Sequence, residues 1–278
     1  MEKNKKKLFI SIGICMLLML PFVISGIISD HVGNEIVEEA VNLAGRVLSA
    51  AGILFYIKKA YKIEIGIKKE NLVKGMFRYG ILIFCTVIFN IVCEYQRPEI
   101  SFLKAAPALL FYLVTNMGIG LMEETVCRGF LFNIFRGYWG ESKKGIYLAT
   151  FVSAFIFGAI HFFNLNGHNT VATLTQVAYA TFFGALFAVV YYRSGNLLSC
   201  IILHGLVDFS AHVWPCFLED RAGYFEQQDV TDYPLSMVLL IAAITLPLII
   251  SALVQLHNEF KNKKDPALIT KESSAFKV

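Results

Sequence analysis

Charge is scarce in this sequence: Lys, Arg, Asp and Glu make up 17% of the 278 residues, against 56% hydrophobic and 14% aromatic. The mean hydropathy is +0.59, more apolar than a single water-soluble core needs. The period-2 alternation of an outer-membrane barrel is also absent. Several apolar runs instead reach the 18 or more residues that a hydrocarbon layer of roughly 30 Å demands of a helix. The six cysteines, Cys15, Cys85, Cys93, Cys127, Cys200 and Cys216, lack CxxC spacing and lie mostly in or beside apolar runs, so they read as small hydrophobes rather than a disulfide framework. No Gly-x-Ser-x-Gly elbow, no HExxH and no phosphate-binding glycine loop occurs, which removes the common serine-hydrolase, zincin and nucleotide-binding readings. The net charge of +4 is modest, and the 25 Lys and Arg gather at chain ends and short loops, so nucleic acid is not an expected partner. No solenoid-period repeat and no low-complexity block interrupts the chain. The expectation is one transmembrane domain over 1–278, with the informative region at 103–215.

What is present is a series of apolar runs between charged loops. They predict an all-α, polytopic bundle of about eight spans near 8–29, 40–57, 76–93, 103–122 continuing to about 136, 146–163, 171–192, 197–215 and 235–256. Leu8 to Ser29 is longer than a signal-peptide core and lacks a clear small-x-small cleavage site, so it reads as a retained first span. Basic residues gather at Lys3 to Lys7, Lys58 to Lys74, Arg136 with Lys143 and Lys144, Arg193, and Lys261 to Lys277. If the spans alternate, all of these fall on one side. The opposite loops carry Asp30, Glu35, Glu38, Glu39, Glu94, Glu99, Glu219, Asp220, Glu226, Asp229 and Asp232. The Lys/Arg excess predicts that both termini are cytoplasmic in a multi-pass protein of the cell membrane, with lipid as a partner. Arg46 falls inside the second span near its outer end, where it is expected to snorkel.

Three apolar runs carry polar residues that a plain anchor would not. Glu123, Glu124 and Arg128 stand in a stretch of more than thirty largely apolar residues, each at a cost of roughly 2.5–3.5 kcal/mol near mid-membrane. Glu124 and Arg128 are four apart and share a helix face, while Glu123 lies about 100° round the helix and is free to point elsewhere. The plainer reading is an interfacial charged cap, against which the apolar run Phe130 to Phe135 continues beyond it. In the next span His161 follows Ala154 and Gly158, whose small-xxx-small spacing lets a neighbouring helix approach closely. In the seventh, His204 and Asp208 lie on one face a turn apart, either as a structural hydrogen bond or as working groups. His168 and His212 are left outside the site. Counting from the nearest cytoplasmic boundary puts Glu123 roughly 20 Å deep, His161 roughly 22 Å, His204 roughly 10 Å and Asp208 roughly 17 Å, compatible with one layer. Such a group suits water activation. A buried carboxylate can act as general base, a histidine can orient the water or share a metal, and a further polar group can hold an oxyanion.

These residues resemble the CAAX protease and bacteriocin-processing family of membrane endopeptidases, which includes the Ras-converting type. Glu123-Glu124-x-x-x-Arg128 resembles its first motif, Phe157-x-x-x-His161 its second and His204-x-x-x-Asp208 its third. The three motifs follow in order over residues 123 to 208. The resemblance implies an eight-helix endopeptidase acting on a peptide or protein in or at the membrane. By position, Glu123 would be the principal base and His161 would help hold the water. Glu124 and Arg128 would shape the site, and His204 with Asp208 would stabilise the oxyanion. A metal stays open; a Zn2+ reading would need Glu123, His161 and His204 as ligands. Asp208 adds a negative charge beside the oxyanion unless it is protonated or paired with His204. Two other classes compete: a non-catalytic membrane partner, such as a bacteriocin self-immunity or scaffold protein, and a proton-coupled transporter, for which the expected repeat symmetry is not seen.

Overall fold

A computed structural model describes residues 5–66, 69–166, 169–221 and 234–262. His168, Glu226, Asp229, Asp232 and the basic tail beyond residue 262 lie outside them. Among the described residues all regular structure is helical: α1 (Lys5–Leu18), α2 (Leu20–Ser29), α3 (Glu35–Tyr61), α4 (Leu72–Lys74), α5 (Ile81–Cys93), α6 (Phe102–Glu124), α7 (Asn133–Trp139), α8 (Lys143–Ile160), α9 (Thr170–Ser194), α10 (Leu197–Ser210) and α11 (Leu235–Asn262). Among the described residues six helices are long and apolar enough to cross a membrane, with α1–α2 and α6–α7 each counted as one, and a bent pair makes a seventh if it is counted as one span. The chain is a multi-pass membrane helix bundle. Large apolar side chains such as Phe9, Met16, Ile27, Leu48, Leu103 and Leu239 stand exposed on its outside, as a lipid-facing surface requires.

The expected count of about eight differs from this in two places. The third expected span is Leu72–Tyr79 followed by Ile81–Cys93, bent by 71°. Gly75–Tyr79 is π-helical, and Gly80 N–H bonds back to the Gly75 carbonyl at 2.9 Å, so the axis turns where a regular ladder is interrupted. The seventh expected span, 197–215, is cut to the 14 residues of α10. That is about 21 Å, short of the roughly 20 residues a full crossing takes. Pro215 then opens a separate 3-10 turn, Pro215–Phe217, at a first-turn position where its missing N–H costs nothing.

Local chemistry sets the helix ends. The Asn34 side chain accepts from Val37 N–H, Ser142 from Gly145 N–H and Asn196 from Ser199 N–H, each an N-cap. Gly195, at φ +64, closes α9 in the left-handed conformation that glycine adopts without strain. The α9–α10 corner is pinned to the segment between α3 and α4 by Leu197 N–H to Gly66 O at 2.7 Å and Asn196 Nδ2 to Glu70 O at 2.9 Å.

α9 is the hub. Phe183 through Tyr191 are all buried, and the helix packs against α8, α10 and α11. α10 also packs on α6, and α3 on both α2 and α6. Between α1 and α2 the chain breaks at Met19, ahead of Pro21. There the Phe22 N–H is taken by the Ser49 hydroxyl of α3 at 3.1 Å. All six cysteines are free, and Cys15, Cys127, Cys200 and Cys216 are buried.

Candidate active site

Close backbone approach brings the third motif to the first. A side chain on Gly120 would place its Cβ 2.7 Å from the Ile201 carbonyl oxygen and 3.0 Å from the Gly205 nitrogen, and one on Gly205 would meet Met117. The α6–α10 contact therefore depends on both glycines, and it sets Glu124, one turn past Gly120, against His204. We expect Gly120→Val to lower stability by roughly 1–3 kcal/mol through overpacking against backbone that cannot swing aside. The measurement is thermal unfolding in detergent, and an unchanged midpoint would contradict this account of the contact.

Past Glu124 the helix winds into a π-helical segment, Thr125–Phe132, before α7. The whole of Phe102–Trp139 still runs as one long apolar helix. π-helical turns leave carbonyls poorly served, and Asn133 answers this with its side-chain amide. Its Nδ2 donates to Gly129 O at 2.8 Å, Arg128 O at 3.1 Å and the Tyr191 hydroxyl at 2.9 Å.

Glu124 is fully buried and Arg128 is 1% exposed, and their Oε1 and Nη1 meet at 2.9 Å. The expectation that this pair shares one helix face holds, and the interfacial-cap reading does not fit its burial. Arg128 Nη2 also donates to Gly184 O at 3.1 Å. The guanidinium lies between two aromatic faces, 4.6 Å from the Phe157 centroid and 5.1 Å from that of Phe187, a desolvated cation–π arrangement. His204 uses the same two rings, stacked on Phe187 at 5.4 Å and 18° and edge-on to Phe157 at 5.7 Å. Phe157 and Phe187 thus form a common cradle for the guanidinium and the imidazole.

Three carboxylates surround the His204 ring. Nδ1 is 2.7 Å from Glu124 Oε1, while Nε2 is 3.6 Å from Glu123 Oε2 and 3.4 Å from Asp208 Oδ2. Ionised carboxylates only accept, so Nδ1 donates to Glu124. The other ring nitrogen, Nε2, faces both Glu123 and Asp208. Asp208 therefore lies beside a histidine.

Glu123, whose side chain is 36% exposed, faces a cavity of about 210 Å³ that His161 also lines. The histidine's Nδ1 lies 3.0 Å from its own turn's Phe157 O. Donation there leaves Nε2 of the neutral ring as an acceptor turned to other partners. The small-residue prediction also holds: a Cβ on Gly158 would meet Val177 O at 2.6 Å, and one on Gly184 would meet Ala154 Cα at 3.1 Å, so α8 and α9 pack at near-contact distance behind the histidine. Glu123, Glu124, Arg128, His204 and Asp208 form one cluster, with His161 across the cavity from it.

The zinc set read from the sequence does not fit this arrangement. Among the described residues no group of three or more His, Cys, Asp or Glu takes metal-ligand spacing. His204 has one nitrogen on Glu124 and the other between Glu123 and Asp208. Arg46, expected to snorkel, pairs with Glu39 at 3.1 Å, seven residues nearer the outer end of α3. Its side chain is only 14% exposed and also lines the Glu123–His161 cavity, which the sequence did not show. The available signal was an arginine within an apolar run, near its outer end. The Phe157–Phe187 cradle left no such signal, because phenylalanine is common in every span.

The site is thus an acid–base cluster, buried at Glu124, Arg128 and His204, that reaches an apolar cavity through Glu123. Residues 105–210 match the family model described as Rce1-like, type II CAAX prenyl endopeptidase. The likeness to CAAX-type endopeptidases is therefore one of this segment, which holds all three motifs. No curated protein and no solved structure matches the chain.

Proposed function

We propose that this chain is an intramembrane endopeptidase that cleaves a membrane-associated peptide or protein through water activated by Glu123. The observation that carries the reading is the position of Glu123. Of the cluster's two partly exposed carboxylates, Glu123 and Asp208, it is the one that lines the same cavity as His161. A water between the two would lose a proton to Glu123 while His161 Nε2 accepts its second O–H and orients it. In this reading Glu123 is ionised and a proton is shared between His204 Nε2 and Asp208, so that attack on a carbonyl turns the developing oxyanion toward the Nε2–H donor. The negative charge of Asp208 is offset by that same proton, which answers the objection that it opposes an oxyanion. Glu124 and Arg128 act through His204 as positioning residues, since Glu124 fixes its Nδ1. No step needs a metal. We place both termini on the cytoplasmic side of the cell membrane, from the Lys/Arg excess of the loops.

The test is cleavage of fluorogenic lipid-anchored peptides by purified protein in nanodiscs, with products identified by mass spectrometry. We expect turnover that is insensitive to chelators and reduced about 10²-fold or more by His161→Ala. Chelator-sensitive turnover restored by Zn2+ would instead favour a metal at this cavity. Absence of any cleavage, with a cellular phenotype that survives substitution of Glu123, would favour a non-catalytic partner.

A further inference from the structure

The Glu123–His161 cavity has one cation that this chemistry does not use. Arg46 lies on α3, outside residues 105–210, and shares the cavity with Glu123, His161 and an otherwise apolar wall that includes Met19, Phe22 and Ile119. Its ion pair is one-sided: Nη1 alone meets Glu39 Oε2, at 3.1 Å, although a guanidinium offers five N–H donors in a planar fork. An arginine that served only to hold α3 would have no reason to face a cavity. A cation at the wall of an apolar chamber raises the affinity of that chamber for a group of opposite charge.

The register supplies a distance. A Cβ on Gly118 would lie 3.8 Å from Arg46 Cδ, so the stem of the Arg46 side chain stands level with Gly118 on α6, five residues before Glu123. Five residues span about 7.5 Å along a helix axis, which an extended peptide covers in two or three residues at about 3.3 Å each. Resting on the proposed function, we propose that Arg46 is a substrate anchor. It binds a carboxylate of the peptide two or three residues from the bond that is cut, so the cavity takes an apolar peptide carrying one anionic group. The carboxylate comes either from a free C-terminus or from an acidic side chain.

The test is binding to the Glu123→Gln protein in nanodiscs, which keeps the peptide intact. Three fluorescent hexapeptides of Leu, Ala and Phe are compared: one with a free C-terminal carboxylate, its C-terminal amide, and the amide with Glu placed third from the end. We expect one or both carboxylate peptides to bind about ten-fold tighter than the plain amide, as a charge-assisted bond in a dry site allows. The free acid winning alone identifies the terminus as the source; the internal Glu winning alone identifies the side chain. Arg46→Met should bring the ratio to about one, Arg46→Lys should keep much of it, and Arg46→Glu should turn the preference toward an amide with Lys in the same third place. Equal binding of the three peptides, no measurable binding of either carboxylate peptide, or a preference that survives Arg46→Met would overturn the assignment. A preference that depends on Arg46 in a protein that cuts none of these peptides supports the anchor and counts against the peptidase, so the two readings fail separately.

Discussion

Glu123→Gln will lower peptide cleavage by about 10³-fold while leaving the fold in place, within the range that loss of a positioned general base produces. Glutamine keeps the size and shape of the side chain and removes its ability to take a proton from water. It should cost little stability. The nearest ion-pair partner of Glu123 is His204 Nε2 at 3.6 Å, longer than a hydrogen bond, and the side chain is 36% exposed. Glu124→Gln is the contrast. That side chain is fully buried, bonded to Arg128 at 2.9 Å and to His204 at 2.7 Å, so the same change of one atom should reduce both activity and melting temperature. The measurement is initial rate in nanodiscs beside thermal unfolding for each variant. A Glu123→Gln protein that keeps most of its rate would remove Glu123 from the role of base. If it unfolds as early as the Glu124 variant, Glu123 is structural instead.

The two carboxylates differ in a way that was visible before any coordinates. Glu124 and Arg128 at i, i+4 announce a pair, and the adjacent Glu123 must then project elsewhere. His204 and Asp208 are equally legible, because a polar i, i+4 column in an apolar helix has few other uses. Helical depth alone put these groups in one layer. Other features depend on contacts made between distant segments, and these were not legible. The π-helical stretch Thr125–Phe132 has no composition of its own and is stabilised from outside, by Asn133 and Tyr191. The 71° bend near Gly80 looked like an unbroken apolar run, since glycine there gives only a weak signal. The short α10 ends for reasons that lie outside it: Trp214 Nε1 donates to Ile91 O at 2.5 Å, tying its exit to α5. Arg46 was seen as a charge at a span edge, and only the packing of α3 on α6 turns it toward the cavity.

Arg128→Met should be the most destabilising of the single changes considered, by about 3–5 kcal/mol, because it strands a buried carboxylate. Arg128 has four partners at once: Glu124 Oε1, the Gly184 carbonyl and the faces of Phe157 and Phe187. Without it Glu124 would keep His204 as its bonded neighbour, and Glu124 Oε2 already has no hydrogen-bond partner. The carboxylate could not be rehydrated, since the residue is fully buried. At a few degrees per kcal/mol for a chain of this size, the unfolding midpoint should fall by roughly 10 °C. Two explanations of that loss are separable, since methionine fills much of the volume between the two rings but carries no charge. If the cost is the unpaired carboxylate, Arg128→Met combined with Glu124→Leu should recover most of the stability, as apolar replacement of a buried ion pair commonly does. If the cost is lost packing in the aromatic cradle, the second substitution should recover nothing. In either case the double variant should stay inactive, because His204 will have lost the acceptor that holds its Nδ1. A double variant that is both stable and active would show that the Glu124–Arg128 pair is dispensable to the site. A single Arg128→Met that melts within a degree or two of the parent would mean that the pair contributes little to holding α6 against α9.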